Sequence, residues 1–169
     1  MSVTICFDFG NTRLKAAIFK NKALLEMRVL ENDHLETMQA LLHEIKPDKT
    51  ILSSVIHHDK AIETQLAAHS KFHLLGPATF INFTTPVGKP ETIGADRLAL
   101  VAAAVDLYPN QHNLIISLGT CITYNFVNIA HEFLGGSISP GMQMRFRAMH
   151  EQTALLPLIE ASNEFTLVG

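Results

Sequence analysis

Residues 7–15 read Phe-Asp-Phe-Gly-Asn-Thr-Arg-Leu-Lys, and residues 116–123 read Ile-Ser-Leu-Gly-Thr-Cys-Ile-Thr. In each stretch an apolar strand enters a small polar turn that contains glycine and threonine, and a second apolar strand leaves it. Gly10 and Gly119 stand 109 residues apart. Glycine lets the backbone approach closely, and the N–H groups of a tight turn form a concave site for anions. We interpret the two stretches as a duplication, in which two half-molecules hold a phosphate chain between their turns.

The strands and helices predicted around the turns repeat in the same order. Polar residues separate the apolar runs, and three prolines between residues 76 and 94 predict a long irregular loop of the kind that is usually functional or disordered. Apolar spacing predicts helices, one of them capped by Asn32 or Asp33 and the last capped by Ser139 with Pro140 at its first position. Strands are predicted at residues 3–9, 14–19, 24–30, 50–55, 72–75, 114–118, 122–127 and 132–138, and helices at 35–45, 59–68, 95–107 and from 139 onward.

This order predicts an α/β protein made of duplicated domains with mixed sheets. The first domain is expected over residues 1–110 and the second over residues 111–169. The second copy holds far fewer residues than the first, and the chain stops at the apolar run 165–169. We therefore expect the second domain to be incomplete.

Composition excludes several classes of protein. The 169 residues are 47% hydrophobic and 17% charged with a net charge of −3, which is typical of a globular protein. The basic residues form no cluster, so we expect no nucleic-acid partner. The apolar runs are of strand length or are broken by polar residues, so we expect no membrane span. Without a leader-like start we predict a cytoplasmic protein. Cys6 and Cys121 lack metal-ligand spacing and are predicted to be free thiols.

The first turn carries the residues of a phosphate site. Asp8 ends its strand at the turn, where a carboxylate can hold Mg²⁺ directly or through water. Gly10, Asn11 and Thr12 offer amides and polar side chains, and Lys15 adds a positive charge on the same hairpin. The alternative is an ordinary β-hairpin, because Gly-Asn is common in turns. The second copy of the turn favours the phosphate site.

The tetrapeptide Gly94-Ala95-Asp96-Arg97 begins the alanine-rich helix. An aspartate at a helix start is usually a cap or a partner of the helix dipole, worth about 0.5–2 kcal/mol. In a functional interpretation Asp96 is a general base, and Arg97 grips a carboxylate or a phosphate.

Four segments in order resemble the motifs of the type III pantothenate kinases. That family belongs to the superfamily of acetate and sugar kinases, Hsp70 and actin, and it includes Bvg accessory factor, described as a transcriptional activator. Ser53-Ser54-Val55 fits the family's strand between the motifs, and the resemblance runs from residue 4 to the end. Residues 8–15 resemble the first phosphate motif, 94–97 the pantothenate motif, 119–123 the second phosphate motif and 134–141 the stretch after it.

The resemblance implies two actin-like (ribonuclease H-like) domains and a reaction. The γ-phosphoryl group of ATP would move to the primary hydroxyl of pantothenate, giving 4'-phosphopantothenate, the first step towards coenzyme A. Asp96 would accept the hydroxyl proton, and Asp8 would hold Mg²⁺. The family works as a homodimer with substrate sites near the interface. ATP would contact Asp8, Phe9, Gly10, Asn11, Thr12, Arg13, Leu14, Lys15, Gly119 and Thr120, and pantothenate would contact Gly94, Ala95, Asp96, Arg97 and Val87.

The chain departs from the family pattern at three positions and in length. Ser117 stands where the family has an aspartate linked to a monovalent cation, K⁺ or NH₄⁺, and serine is a weaker cation ligand. Asn125 replaces a second acid, and Val87 replaces a tyrosine. Family members also continue past residue 169. These departures keep two alternatives open: a non-catalytic nucleotide-binding or regulatory relative, and another phosphotransferase or a phosphatase of the same fold.

Overall fold

A computed structural model describes residues 2–160 of the chain. The predicted strands and the first three helices are present in this range, and their ends shift by no more than two residues. The apolar run 165–169 lies outside the described residues. The strands are β1 (Val3–Phe9), β2 (Leu14–Lys20), β3 (Ala23–Leu30), β4 (Lys49–Ser54), β5 (Lys71–Leu74), β6 (Asn113–Leu118), β7 (Cys121–Val127) and β8 (Phe133–Pro140), and the helices are α1 (Leu35–Ile45), α2 (Lys60–His69), α3 (Ala95–Leu107) and α4 (Met142–Glu151).

The first sheet has five strands in the order β3-β2-β1-β4-β5. Strands β3, β2 and β1 pair antiparallel, whereas β1, β4 and β5 pair parallel. Alternate residues of β1 point to one face of the sheet. Ile5, Phe7 and Phe9 on that face are buried against Met38 and Leu42 of α1. This packing leaves the opposite face of β1, with Asp8, available to the site.

The second sheet repeats the opening meander as three antiparallel strands in the order β6-β7-β8. Its core joins Val127 and Phe133 of the sheet to Leu98 and Val101 of α3. Helix α3 also contacts β4 of the first sheet, so it lies between the two sheets. The prediction of an α/β fold with mixed sheets and a repeated meander is confirmed. The predicted domain boundary at residue 110 stays a prediction.

The start of α4 and the capping of α1 differ from the prediction. Helix α4 begins after Gly141, because Pro140 is the last residue of β8 and lies opposite Cys121 in the sheet, so Ser139 is not a helix cap. Helix α1 has His34 at its N-cap position without a side-chain cap. Asn32 instead accepts hydrogen bonds from the His34 N–H at 3.0 Å and the Thr37 hydroxyl at 2.7 Å.

The irregular loop between β5 and α3 is anchored on the second sheet. The Thr84 N–H donates to the carbonyl oxygen of His131 at 3.0 Å, and the Phe133 N–H donates to the carbonyl oxygen of Thr84 at 2.8 Å. A short 3₁₀ turn, Pro90–Thr92, leads the loop into α3. Between residues 2 and 160 no helix has the length and apolar character needed to cross a membrane.

Candidate active site

The two glycine-containing turns meet in the folded protein. The hydroxyl oxygens of Thr12 and Thr120 lie 2.5 Å apart, within hydrogen-bond distance. Each turn is closed by its own glycine: the Gly10 N–H donates to the Arg13 carbonyl at 3.2 Å, and the Gly119 N–H donates to the carbonyl two residues later at 3.1 Å. The turns that the sequence marked as a phosphate cradle therefore form two sides of one site.

Asp8 and Lys15 flank the first turn as partners across β1 and β2. The Lys15 ammonium lies 3.5 Å from a carboxylate oxygen of Asp8, and both side chains are nearly half exposed. An exposed ion pair of this kind contributes about 0–1 kcal/mol. Both charges are therefore available to a ligand at little cost in stability.

A buried hydroxyl without a partner lies beside Asp8. Ser53 of β4 is opposite Asp8 in the parallel pairing, so the two side chains lie on the same face of the sheet. Ser53 is 8% exposed, and its hydroxyl oxygen has no hydrogen-bond partner among residues 2–160. Carboxylate and hydroxyl oxygens are hard donors that suit Mg²⁺, which usually takes one or two carboxylates and completes its shell with water and phosphate. These two residues fit a magnesium site.

The described residues contain no cluster of three or more His, Cys, Asp or Glu side chains that could hold a metal ion by themselves. A cation at Asp8 would thus depend on substrate phosphates for further ligands. Cys6 precedes Asp8 on the same face of β1, and burial raises the pKa of its thiol. The thiol is therefore a poor candidate for a metal-binding thiolate at neutral pH.

Asp96 lies at the start of α3 with its carboxylate folded back over Gly94. A Cβ atom added at Gly94 would lie 2.5 Å from the Asp96 Oδ1 atom and 3.9 Å from a methyl group of Val55. The Val55 N–H in turn donates to the carbonyl oxygen of Phe9 at 3.0 Å. These contacts bring the start of α3 to the end of β4, beside the first turn. Asp96 is not the helix cap, because Gly94 occupies that position.

The carboxylate of Asp96 accepts no hydrogen bond from the part of the chain that the structure describes. Its lone pairs are therefore free for a substrate hydroxyl. Ala95 is the first residue of α3 and Arg97 the third. Arg97 points across to the second sheet: its Nε–H donates to the side-chain oxygen of Asn125 at 2.6 Å. This helix start thus contacts both halves of the molecule.

The remaining predicted residues occupy different environments. Phe9 is fully buried, with its ring edge-on to Phe7, so only its backbone faces the turn. Leu14 packs against the first core, while Asn11 and Arg13 are exposed at the turn.

Val87 packs against the second core, 3.8 Å from the position that a Cβ atom of Gly135 would take. Ser117 lies opposite Thr123, on the face of the second sheet that α3 covers.

Gly141 is a site residue whose role the sequence did not reveal. Its N–H donates to the Thr120 carbonyl oxygen at 3.0 Å. A Cβ atom at this position would lie 2.2 Å from the Gly119 carbonyl oxygen and 2.6 Å from that of Thr120. Only glycine allows so close an approach, so Gly141 braces the second turn against the start of α4. In the sequence, the signal that could have indicated this role is the glycine-rich stretch 134–141.

Comparisons with known proteins concern the chain as a whole. The family model for type III pantothenate kinase matches residues 4–169. A type III pantothenate kinase of Christiangramia forsetii is 40% identical over 169 residues, covering 99% of this chain and 70% of the relative. One of Flavobacterium johnsoniae is 34% identical over 164 residues, covering 96% of this chain and 67% of the relative.

Among solved structures, a Ppx/GppA phosphatase of Aquifex aeolicus is similar with a TM-score of 0.49 and 15% identity. The match covers 90% of this chain and 55% of that protein. A likeness of this size carries no argument about function.

Proposed function

This chain belongs to the type III pantothenate kinase family, and we propose that it transfers the γ-phosphoryl group of ATP to the primary hydroxyl of pantothenate, forming 4'-phosphopantothenate for coenzyme A synthesis. The observation that supports this most is the meeting of three segments distant in sequence. The two turns touch through Thr12 and Thr120, and the helix start that carries Asp96 packs beside the first turn.

Asp96 is the general base in this proposal. Its carboxylate is half-buried, and no described residue donates a hydrogen bond to it, so the pantothenate hydroxyl can do so. Phosphoryl transfer depends mainly on positioning and on neutralising charge, and the base orients the hydroxyl and takes its proton as the new P–O bond forms. Gly94, Ala95 and Arg97 line the pantothenate side of the site, with Val87 on the neighbouring loop.

The two turns bind the phosphates of ATP. The N–H groups of Gly10 and Gly119 close their own turns, so the donors are the backbone amides of residues 11, 12 and 120 and the hydroxyls of Thr12 and Thr120. Arg13 and Lys15 supply positive charge. Lys15 would leave Asp8 for a phosphate at little cost, because their pairing is exposed and long. Mg²⁺ at Asp8, with the Ser53 hydroxyl beside it, would neutralise phosphate charge.

A strong site for K⁺ or NH₄⁺ does not fit the second half of the site. Ser117, Thr123 and Asn125 share the face that α3 covers, and all three are neutral. We therefore expect the rate to depend little on the monovalent cation. The homodimer, with the substrate site near its interface, and the cytoplasmic location are further parts of the proposal that follow from the family.

The two alternatives are less favoured. A non-catalytic relative and another phosphotransferase or phosphatase both fit the α/β fold. However, the relatives matched over nearly the whole chain are named type III pantothenate kinases. The chain also has a carboxylate at Asp96 to which no described residue donates a hydrogen bond. A descendant without kinase activity would not need this arrangement.

The direct test is product formation. The chain is incubated with ATP, Mg²⁺ and pantothenate, and the product is identified by mass spectrometry while ADP release is followed. We expect one phosphopantothenate for each ADP, with a similar rate when Na⁺ replaces K⁺. Omitting pantothenate gives the background ATPase rate. ADP release that does not depend on pantothenate, or phosphorylation of other alcohols at the same rate, would contradict the proposal.

A further inference from the structure

His58, in the loop between β4 and α2, is bound at both of its ring nitrogens. Its side chain is 11% exposed. Nε2 lies 3.1 Å from a carboxylate oxygen of Glu63 on α2, and Nδ1 lies 2.9 Å from the hydroxyl oxygen of Ser54 on β4. A carboxylate can only accept a hydrogen bond, so it holds the proton of the neutral ring at Nε2, and Nδ1 accepts the Ser54 hydroxyl. The histidine thus ties the end of β4 to α2.

The Ser54 hydroxyl has one proton and two acceptors within reach. Besides Nδ1 of His58, the carbonyl oxygen of Ile56 lies 3.1 Å from the hydroxyl oxygen. The contact with His58 is the shorter one and joins separate elements, whereas Ile56 is only two residues away. Loss of the histidine nitrogen would therefore leave the hydroxyl on a local contact and remove the polar link between the end of β4 and α2.

His58 also contacts the end of the neighbouring strand. Its ring is edge-on to the Phe9 ring, with 5.9 Å between the ring centres and 85° between the planes. Phe9 and Ser54 are the last residues of β1 and β4, and they lie opposite each other in the parallel pairing. One side chain therefore touches the ends of both strands, at the point where β1 enters the first turn.

The residues on either side of Ser54 reach the candidate site. Ser53, in the proposed magnesium site, lies on the opposite face of the sheet, because successive residues of a strand alternate between faces. Val55 follows the strand, and one of its methyl groups lies 3.9 Å from the position that a Cβ atom of Gly94 would take. Gly94 is the N-cap of α3. The end of β4 thus reaches both the metal site and the helix start, and His58 holds that end from behind.

We propose that His58 is a positioning residue, which holds the ends of β1 and β4 so that the magnesium site and the start of α3 keep their relative places during phosphoryl transfer. The inference rests on the proposed function and adds to it a residue on the far face of the sheet. Phosphoryl transfer depends on positioning, and a displacement of about 1 Å can lower the rate by about 100-fold. A substitution of His58 should therefore change kcat more than ligand binding.

Three substitutions of His58 separate its contacts. His58→Phe keeps a ring beside Phe9 and loses both hydrogen bonds. The amide introduced by His58→Asn reaches as far as Nδ1 and can accept the Ser54 hydroxyl, whereas the amide introduced by His58→Gln reaches as far as Nε2 and can bond only Glu63. His57→Phe is the matched control, because His57 stands next to His58 in an exposed position.

Steady-state kinetics, calorimetric Kd values and NMR hydrogen exchange are measured for each variant. We expect His58→Phe and His58→Gln to lower kcat by about 10- to 100-fold, and His58→Asn to recover most of this loss. Kd values for ATP and pantothenate should change little, because every group that contacts a ligand is retained. The Val55 N–H, which donates to the Phe9 carbonyl at 3.0 Å, should exchange faster in the first two variants as the strand ends open more easily. His57→Phe should leave all of these quantities unchanged.

A kcat of His58→Asn equal to that of His58→Phe would overturn the inference, because the contact with Ser54 would then have no effect. Lower thermal stability of His58→Phe with wild-type kcat would also overturn it, since the histidine would then only stabilise the fold. If His58→Phe does not fold, Ser54→Ala removes the same hydrogen bond and is expected to lower kcat in the same way.

A wild-type chain that binds both ligands without turnover contradicts the proposed function alone. The exchange rate at Val55 then decides the positioning role: faster exchange in His58→Phe, recovered in His58→Asn, supports it. Equal exchange rates in wild type and His58→Phe contradict it.

Discussion

At the scale of single residues, Gly94 keeps the space that the Asp96 carboxylate occupies. A methyl group at this position would lie 2.5 Å from Oδ1, closer than packed atoms come. The backbone at Gly94 has φ −58° and ψ 143°, which alanine adopts without strain. A substitution here should therefore displace the Asp96 carboxylate, the proposed base, without disturbing the fold.

We expect Gly94→Ala to lower kcat by about 100-fold, because a shift of about 1 Å in a reacting group has effects of this order. Gly88→Ala is the matched control, since a Cβ atom at Gly88 would meet nothing within 4 Å. Steady-state kinetics and thermal melting of both variants check the prediction. Full activity of Gly94→Ala would show that the carboxylate position observed here is not the working one.

Ser53→Ala tests the magnesium site. Removing this hydroxyl, which has no hydrogen-bond partner, should weaken Mg²⁺ binding in the presence of ATP by a few-fold. It should not destabilise the fold, because a buried polar group without a partner costs about 1–3 kcal/mol. Ser2→Ala is the control, since the Ser2 hydroxyl is also buried without a partner but lies at the start of β1. Mn²⁺ titration followed by electron paramagnetic resonance measures the affinity. The same Mn²⁺ affinity in Ser53→Ala and wild type would contradict a role of Ser53 in the proposed metal site.

At the scale of elements, one arginine joins β3 to α1. The Arg28 guanidinium donates to Glu26 on the same strand and to Glu44 on α1, each at 2.7 Å. Hydrogen bonding to Arg28 lowers the pKa of both carboxyl groups below the usual value of 4.5. A carboxyl whose pKa is lowered by folding contributes stability above its unfolded-state pKa and loses it as the pH falls through the folded value.

Arg28→Met should therefore lower the free energy of unfolding at pH 7, and the difference from wild type should vanish as the pH falls below 4.5. Urea titrations between pH 7 and pH 3 measure it, with Lys22→Met, an exposed lysine in a turn, as the control. A difference that persists unchanged at acid pH would mean that the arginine acts through packing rather than charge.

Local sequence was enough to predict most elements. Runs of β-branched and aromatic residues give strands, and the predicted limits of β1 and α3 agree with those observed. The start of α4 could not be predicted, because a tertiary contact fixes it. Pro140 resembles a helix start in sequence, but its position opposite Cys121 makes it the end of a strand.

The candidate site, like the fold, could be predicted from the sequence only in part. The turns and the Gly94-Ala95-Asp96-Arg97 segment are continuous in sequence and were found there. Ser53 and Asn125 were noted there too, Ser53 in the strand between the motifs and Asn125 in place of a second acid, but their contacts could not be predicted, because these depend on distant partners. Ser53 matters through its register with Asp8, and Asn125 matters through a contact with a residue 28 positions away.

At the scale of the whole molecule, α3 connects the two sheets. It contacts β4 on one side and β6 and β7 on the other, so the site depends on how this helix packs. Leu98 is 3% exposed in the second core, whereas Leu107 at the end of the same helix is 67% exposed. The two leucines therefore test buried and exposed positions of one element.

We expect Leu98→Ala to lower the free energy of unfolding by about 2–5 kcal/mol and Leu107→Ala to change it little. Urea denaturation followed by circular dichroism measures both. Because α3 packs against both sheets, the transition should stay single. Two separate transitions, of which only one moves in Leu98→Ala, would show that the sheets unfold independently.

The central claim is that the two turns and the start of α3 form one kinase site with Asp96 as its base. The most direct test compares wild type with Asp96→Asn for turnover of pantothenate and for binding of ATP and pantothenate. The account predicts that kcat falls by about 10²–10⁴-fold while both ligands still bind, since the amide keeps the shape and cannot accept the proton. Turnover by Asp96→Asn at the wild-type rate would contradict it.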